Sequence, residues 1–112
     1  RRKTTSLIRG TWRIVEMEQW DQDYVDEEAP GHFTFGAVWM GSFQFGYLQG
    51  EMDVRYRNDR AEFSWTGMDE MTEVSGRGNA ELANGELTGR ICIHLGDDSA
   101  FRAVRAGSKS RK

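Results

Sequence analysis

Apolar residues fall on alternate positions along most of this chain. Phe33, Phe35 and Ala37 are spaced by two, as are Phe43, Phe45 and Tyr47, then Met52, Val54 and Tyr56. Ala61, Phe63 and Trp65 continue the series, followed by Ala80 and Leu82, by Ile91, Ile93 and Leu95, and by Phe101 and Ala103. A period of two marks strands with one buried face, because successive side chains of a strand point to opposite sides. An apolar stripe at helical spacing between caps is missing, and glycine interrupts nearly every helical candidate. Asn58-Asp59, Asn84-Gly85 and Gly96-Asp97-Asp98 punctuate the runs. Asn84-Gly85 is the strongest of these signals, since a type I′ hairpin turn needs positive φ at both central residues.

The pattern predicts eight strands: A at 11–20, B at 32–38, C at 42–48, D at 51–57, E at 60–66, F at 74–83, G at 86–95 and H at 99–105. About 12 residues per strand and turn, with sequential hairpins, is the spacing of an all-β sandwich or barrel. The expected architecture is all-β, a single up-and-down antiparallel eight-stranded barrel. It makes one domain of the whole chain, 1–112, with an ordered core over 7–106 and two basic tails expected to be mobile.

Composition narrows the class. The 112 residues carry fifteen Lys and Arg, eighteen Asp and Glu, thirteen Gly, one Pro and four Trp. That mixture excludes disorder, collagen, coiled coil and a disulfide scaffold. Cys92 is the single cysteine, so an intrachain disulfide or thiolate cluster is excluded, which favours a reducing, cytoplasmic setting. No apolar run reaches the roughly 18 residues that would cross a bilayer, and no membrane partner is expected. The start, Arg1-Arg2-Lys3-Thr4-Thr5-Ser6, lacks the apolar stretch of a signal peptide.

The chain opens its first strand as Gly10-Thr11-Trp12-Arg13-Ile14 and closes its last as Phe101-Arg102-Ala103-Val104-Arg105. This resembles the calycin superfamily, the lipocalin-like up-and-down barrels, and more narrowly a family of short uncharacterised bacterial proteins with the same opening. The resemblance implies that Trp12 and a basic residue of the last strand close the barrel floor by a cation–π stack. Alternation with Phe101 and Ala103 selects Arg105 as that residue. The chain departs from secreted lipocalins in its shorter length, lack of disulfides and lack of a helix after the barrel.

On such a meander, the A–B, C–D, E–F and G–H loops share one rim. Over 21–31, 49–51, 67–73 and 96–98 they hold eleven acidic residues and no Lys or Arg. A one-signed rim attracts cations and repels anions. Inside, Phe33, Tyr47, Met52, Trp65 and Phe101 are expected to line the mouth, with Glu16 and Glu18 if strand A keeps its alternation. A bulge in strand A would instead turn both glutamates to solvent. Gly76 and Gly78 on strand F would leave room in the lumen. An eight-stranded barrel is just wide enough to be filled by its own side chains or to hold one small ligand.

Three functions follow. The first is a small-molecule-binding barrel for a hydrophobic, amphiphilic or cationic ligand. The second is a protein-interaction module that docks a basic partner on the acidic rim, with Trp20, Tyr24 or Trp39 as anchors. The third is a small enzyme using Glu16 or Glu18 as acid or base. No cofactor and no specific nucleic-acid partner is expected. The Asp21–Glu28 run fails as a calcium loop, with Asp26 where glycine is needed and His32 where glutamate is needed. Trp39-Met40 at the floor either plugs the barrel or forms a homodimer contact.

Overall fold

The computed structural model describes residues 7–106. Eight strands form in chain order: β1 (Gly10–Met17), β2 (His32–Phe35), β3 (Met40–Phe45), β4 (Leu48–Arg57), β5 (Arg60–Asp69), β6 (Thr72–Ala83), β7 (Glu86–Ile93) and β8 (Asp98–Arg105). Each pairs antiparallel with the next, and β8 returns to β1 to close the barrel. A single four-residue helical turn, α1 (Gln22–Val25), interrupts the β1–β2 connection. The tails at 1–6 and 107–112, expected to be mobile, lie outside the described residues.

Closure removes the sheet edges that an open meander would expose. It also turns the period-two pattern into an inside and an outside. Along β4 and β5 the inward set is Leu48, Gly50, Met52 and Val54, then Ala61, Phe63 and Trp65. Twenty hydrophobic side chains are buried, each large one stabilising the fold by roughly 1.5–3 kcal/mol.

Four tight turns join paired strand ends at 46–47, 58–59, 70–71 and 84–85. The strand ends differ from the expected ones where turn geometry overrides alternation. β2 stops at Phe35, not residue 38, because Val38 and Trp39 take left-handed conformations, φ 55° and 64°. β4 begins at Leu48, not residue 51, because the chain reverses at Gly46-Tyr47. β1 stops at Met17, not residue 20.

Within β1 the register with β8 slips between Ile14 and Glu16. Such a bulge inserts one residue and shifts the alternation, so Met17 takes the inward position, 6% exposed, in place of Glu16. The Ile14 carbonyl at the bulge accepts from the Gln22 side-chain amide at 3.0 Å. Its amide donates to Gly31 at 2.8 Å.

At the floor, Arg105 pairs in register with Trp12, and its guanidinium carbon lies 4.0 Å from the indole centroid. The Trp12 indole N–H donates to the Ile8 carbonyl at 2.7 Å, and Arg105 donates to the carbonyls of Arg9 and Leu7. Gly10, φ +119°, leaves the space: a Cβ there would stand 2.5 Å from the Arg105 guanidinium. The glycine passes the arginine and the tryptophan receives it.

Candidate functional site

The connections at 18–31, 46–47, 70–71 and 94–97 meet at one end of the barrel and hold eight acidic residues and no Lys or Arg. The long β1–β2 connection is shaped by its own acids. Asp21 caps α1 by accepting from the Tyr24 amide at 3.0 Å, the usual role of Asp at a helix start. Asp26, at the other cap, accepts from the Gly31 amide at 2.8 Å and the Gln22 side chain at 3.0 Å, with Arg13 at 3.6 Å. Desolvation pushes the Asp26 carboxyl upward, but those two hydrogen bonds and the Arg13 charge together hold it below its ordinary value. Val25 is fully buried under this loop.

That anchoring delivers a line of aromatic rings to the rim. Trp20 lies 5.0 Å from the buried Phe45 and 6.3 Å from Tyr24, and Tyr24 meets Tyr47 edge-on at 6.1 Å. The Tyr24 ring lies against Gly46, where a Cβ would come within 2.2 Å of it. The Tyr47 amide donates to the Tyr24 hydroxyl at 3.5 Å, and the Glu70 amide donates to the Tyr47 carbonyl at 3.3 Å. The Tyr47 phenol is pushed above its ordinary value chiefly by the Glu27 carboxylate, then by desolvation and by Glu28 and Glu70. Three carboxylates therefore act on one half-exposed ring.

The candidates from the sequence divide into two sets. Phe33, Met52, Trp65 and Phe101 are buried inside the barrel. Phe33 lies 4.5 Å from Phe101 and 5.5 Å from Phe43, ring to ring. The room expected beside Gly76 and Gly78 is taken by the aromatics opposite them in register. Gly78 pairs with Phe63 and Gly76 with Trp65. A Cβ on Gly78 would come within 2.5 Å of the Phe63 ring, and one on Gly76 would meet the Cys92 carbonyl oxygen at 1.9 Å and the Trp65 indole at 3.0 Å. Of these buried groups, the Trp65 indole N–H lacks a hydrogen-bond partner.

Glu16, Glu18 and Tyr47 form the other set: they do not line the lumen, and for the two glutamates it is the alternative of a strand bulge turning them to solvent that holds. The bulge in β1 turns Glu16 outward, where it pairs with Arg102 at 3.0 Å. Glu18 accepts from Arg90 at 3.4 Å and from the Ala100 amide at 3.2 Å. Tyr47 escapes because the chain has already begun its reversal at Gly46. The off-pattern Met17, three residues after Ile14, is the sequence signal that favours the bulge over unbroken alternation.

A broad open groove of about 800 Å³ lies outside the barrel across β3 to β6, lined by Gln44, Gln49, Glu51, Thr66 and Ser75 among others. Among the described residues no three His, Cys, Asp or Glu side chains gather to hold a metal ion.

No family model, no curated protein and no solved structure matches this chain.

Proposed function

We propose that the protein is a binding module whose acidic, aromatic end docks a basic partner, a peptide segment presenting Lys or Arg side chains. The observation that carries this reading is Tyr47, half-exposed and edge-on to Tyr24, in the field of Glu27, Glu28 and Glu70. A cation over such rings gains about 0.5–1 kcal/mol at an exposed site, and more once desolvated. The surrounding carboxylates steer it there. Buried aromatics beside Gly76 and Gly78 favour recognition on the rim over recognition in the lumen. The calycin-like reading of the barrel goes with this proposal through Gly10, Trp12 and Arg105, as does a reducing, cytoplasmic setting for the lone Cys92.

Titration with a short Lys/Arg-rich peptide, followed by calorimetry, tests the proposal against an acidic peptide of equal length. Binding should weaken steeply as salt rises from about 0.05 to 0.5 M, as expected for exposed charges. Tyr47→Ala should weaken it about fivefold, near 1 kcal/mol, without lowering the melting temperature. Equal binding of the acidic peptide, or an unchanged affinity in Tyr47→Ala, would sink the idea.

A second reading, an uncharged or amphiphilic small molecule in the lumen, is favoured by one observation, the unpartnered Trp65 indole N–H. A ligand with an acceptor group should then raise the melting temperature of the wild type and lose that effect in Trp65→Phe.

A further inference from the structure

The barrel leaves one stretch of strand without a neighbour, at the acidic end. β6 pairs with β5 out to its first residue, Thr72, opposite Asp69, but its pairing with β7 starts only at Gly76, opposite Ile93. Residues 72–75 of β6 therefore run past the end of β7. The His94 amide still donates to the Ser75 carbonyl at 2.7 Å, and the next residue, Leu95, turns the chain away at φ 60°. Backbone groups along an antiparallel strand point alternately to its two neighbours. The Ser75 bond sets the odd-numbered residues of β6 towards β7, and the tight turn at 70–71, flanked by the Asp69–Thr72 pair, gives the same parity. The Glu73 amide and carbonyl thus point into the space that β7 has left. Among the described residues, no hydrogen bond from the 94–97 connection reaches them. Two other overhangs are covered: beyond β2 the Ile14 amide meets the Gly31 carbonyl at 2.8 Å, and beyond β3 the Val54 amide meets the Trp39 carbonyl at 2.9 Å.

Alternation from the buried Ala80 puts Val74 on the inner face of β6 and Glu73 on the outer. Met71 and Leu95, at the two limits of the overhang, are 92% and 95% exposed. Glu70, Glu73 and Asp97 border it, and none of them forms an ion pair among the described residues. The nearest cation along β6, Arg77, lies opposite Cys92, where the ladder is complete. The floor end also exposes apolar side chains, Val38, Trp39 and Met40. There, however, Arg55 lies over the Trp39 ring at 4.3 Å, and Arg9, Arg55 and Arg57 are balanced by Asp53, Asp59 and Glu62. An open edge, exposed apolar residues and charge of one sign coincide at β6.

We propose that a partner segment adds here as a short strand antiparallel to β6, in the place that β7 vacates, with Lys or Arg opposite Glu73 and an apolar residue opposite Val74. This rests on the reading of the acidic end as a dock for a basic peptide, and it gives that peptide a conformation and a pattern. In strand addition, main-chain hydrogen bonds supply affinity and alternate side chains supply specificity. A cation directly opposite a carboxylate on one face of an antiparallel pair is favourable, and like charges there are unfavourable. A second copy of this chain is therefore a poor occupant, since its own Glu70 and Glu73 would stand against these. A basic helix is poorer too, because its backbone is bonded internally and leaves the Glu73 amide and carbonyl unmet.

Calorimetric titration of the full chain with the end-blocked peptide Lys-Val-Lys-Val-Lys tests this. Residues directly opposite share a face, so the lysines turn their amides to β6 and the valines turn theirs away. N-methylation of the lysine amides should weaken binding about tenfold, as loss of backbone hydrogen bonds would, and N-methylation of the valine amides should change it by less than about twofold. On binding, the Glu73 amide should exchange with solvent about tenfold more slowly. In the protein, Glu73→Gln removes the charge alone, and Glu73→Pro also removes the amide, which faces no strand and so can be spared. Glu73→Pro should bind the peptide about tenfold more weakly than Glu73→Gln. Equal effects of the two methylations, or an unprotected Glu73 amide in the complex, would overturn strand addition. If Tyr47→Ala still weakened both methylated peptides, docking of a basic segment would stand without it, whereas failure of every lysine peptide to bind would remove both. A wild-type dimer that Glu73→Pro abolishes would also overturn the partner strand.

Discussion

Two turns at the same end of the barrel each hold two adjacent residues at positive φ and differ completely in sequence. Asn84 and Gly85 have φ 56° and 78°, and Val38 and Trp39 have φ 55° and 64°. Asn and Gly enter this region with little or no penalty, so β6 and β7 meet through the residues that local preference would choose. Val and Trp are poor choices for the same region, and they are also left in solvent. The β2–β3 turn is closed by its own Gly36–Met40 bond and is held from outside by β4, through the Val54 amide on the Trp39 carbonyl and the Tyr56 hydroxyl on the Gly36 carbonyl. One turn helps the fold to form. The other is carried by the fold, and its side chains remain available for contact with something else.

Exchanging the turn residues would break this contrast most strongly. Asn84→Val with Gly85→Trp should lower stability by about 2–4 kcal/mol, since each non-glycine residue in the left-handed region costs roughly 1–2 kcal/mol. Thermal unfolding should show a fall of about 8 °C or more, and an unchanged melting temperature would mean that such turns are not strained in this barrel. The reverse exchange, Val38→Asn with Trp39→Gly, should raise stability by about 1 kcal/mol. The relief of strain outweighs the lost Arg55 contact and the added chain entropy of glycine. The smallest effect sharpens the comparison: Arg55→Ala should cost under about 1 kcal/mol in the wild type. A double-mutant cycle with the Asn-Gly turn should show most of that loss disappearing, because its cation–π partner has gone.

The two ends of the molecule were unequally legible. Acid content along the chain places carboxylates in the connections at one end whatever the exact strand limits, so the acidic rim survives shifts of one to three residues in β4 and β6. The aromatic line at that rim is harder to read. Trp20 and Tyr24 sit in a segment too short for any periodicity, and their alignment depends on Asp21 capping α1 and on Gly46 admitting the Tyr24 ring. At the other end, the alternation of Phe33, Phe35 and Ala37 extends naturally to residue 38. It gives no warning that the chain turns left-handed there, because nothing local about Val38-Trp39 favours that turn.

Local patterning determines the strands and their order, through period-two alternation and sequential hairpins. The stack on Trp12 is implied by the resemblance of the Gly10-Thr11-Trp12 opening to calycin barrels, and the parity of the last strand chooses Arg105 for it. Whether the barrel is filled, and where Glu16, Glu18 and Tyr47 point, only the tertiary structure decides. Phe63 and Trp65 cover Gly78 and Gly76 because cross-strand register places them opposite, and register is a relation between strands that neither strand encodes alone. The same holds for the bulge that exchanges Met17 for Glu16. It is fixed by pairing with β8, some eighty residues along the chain, and by the Gln22 amide that takes up the displaced carbonyl of Ile14.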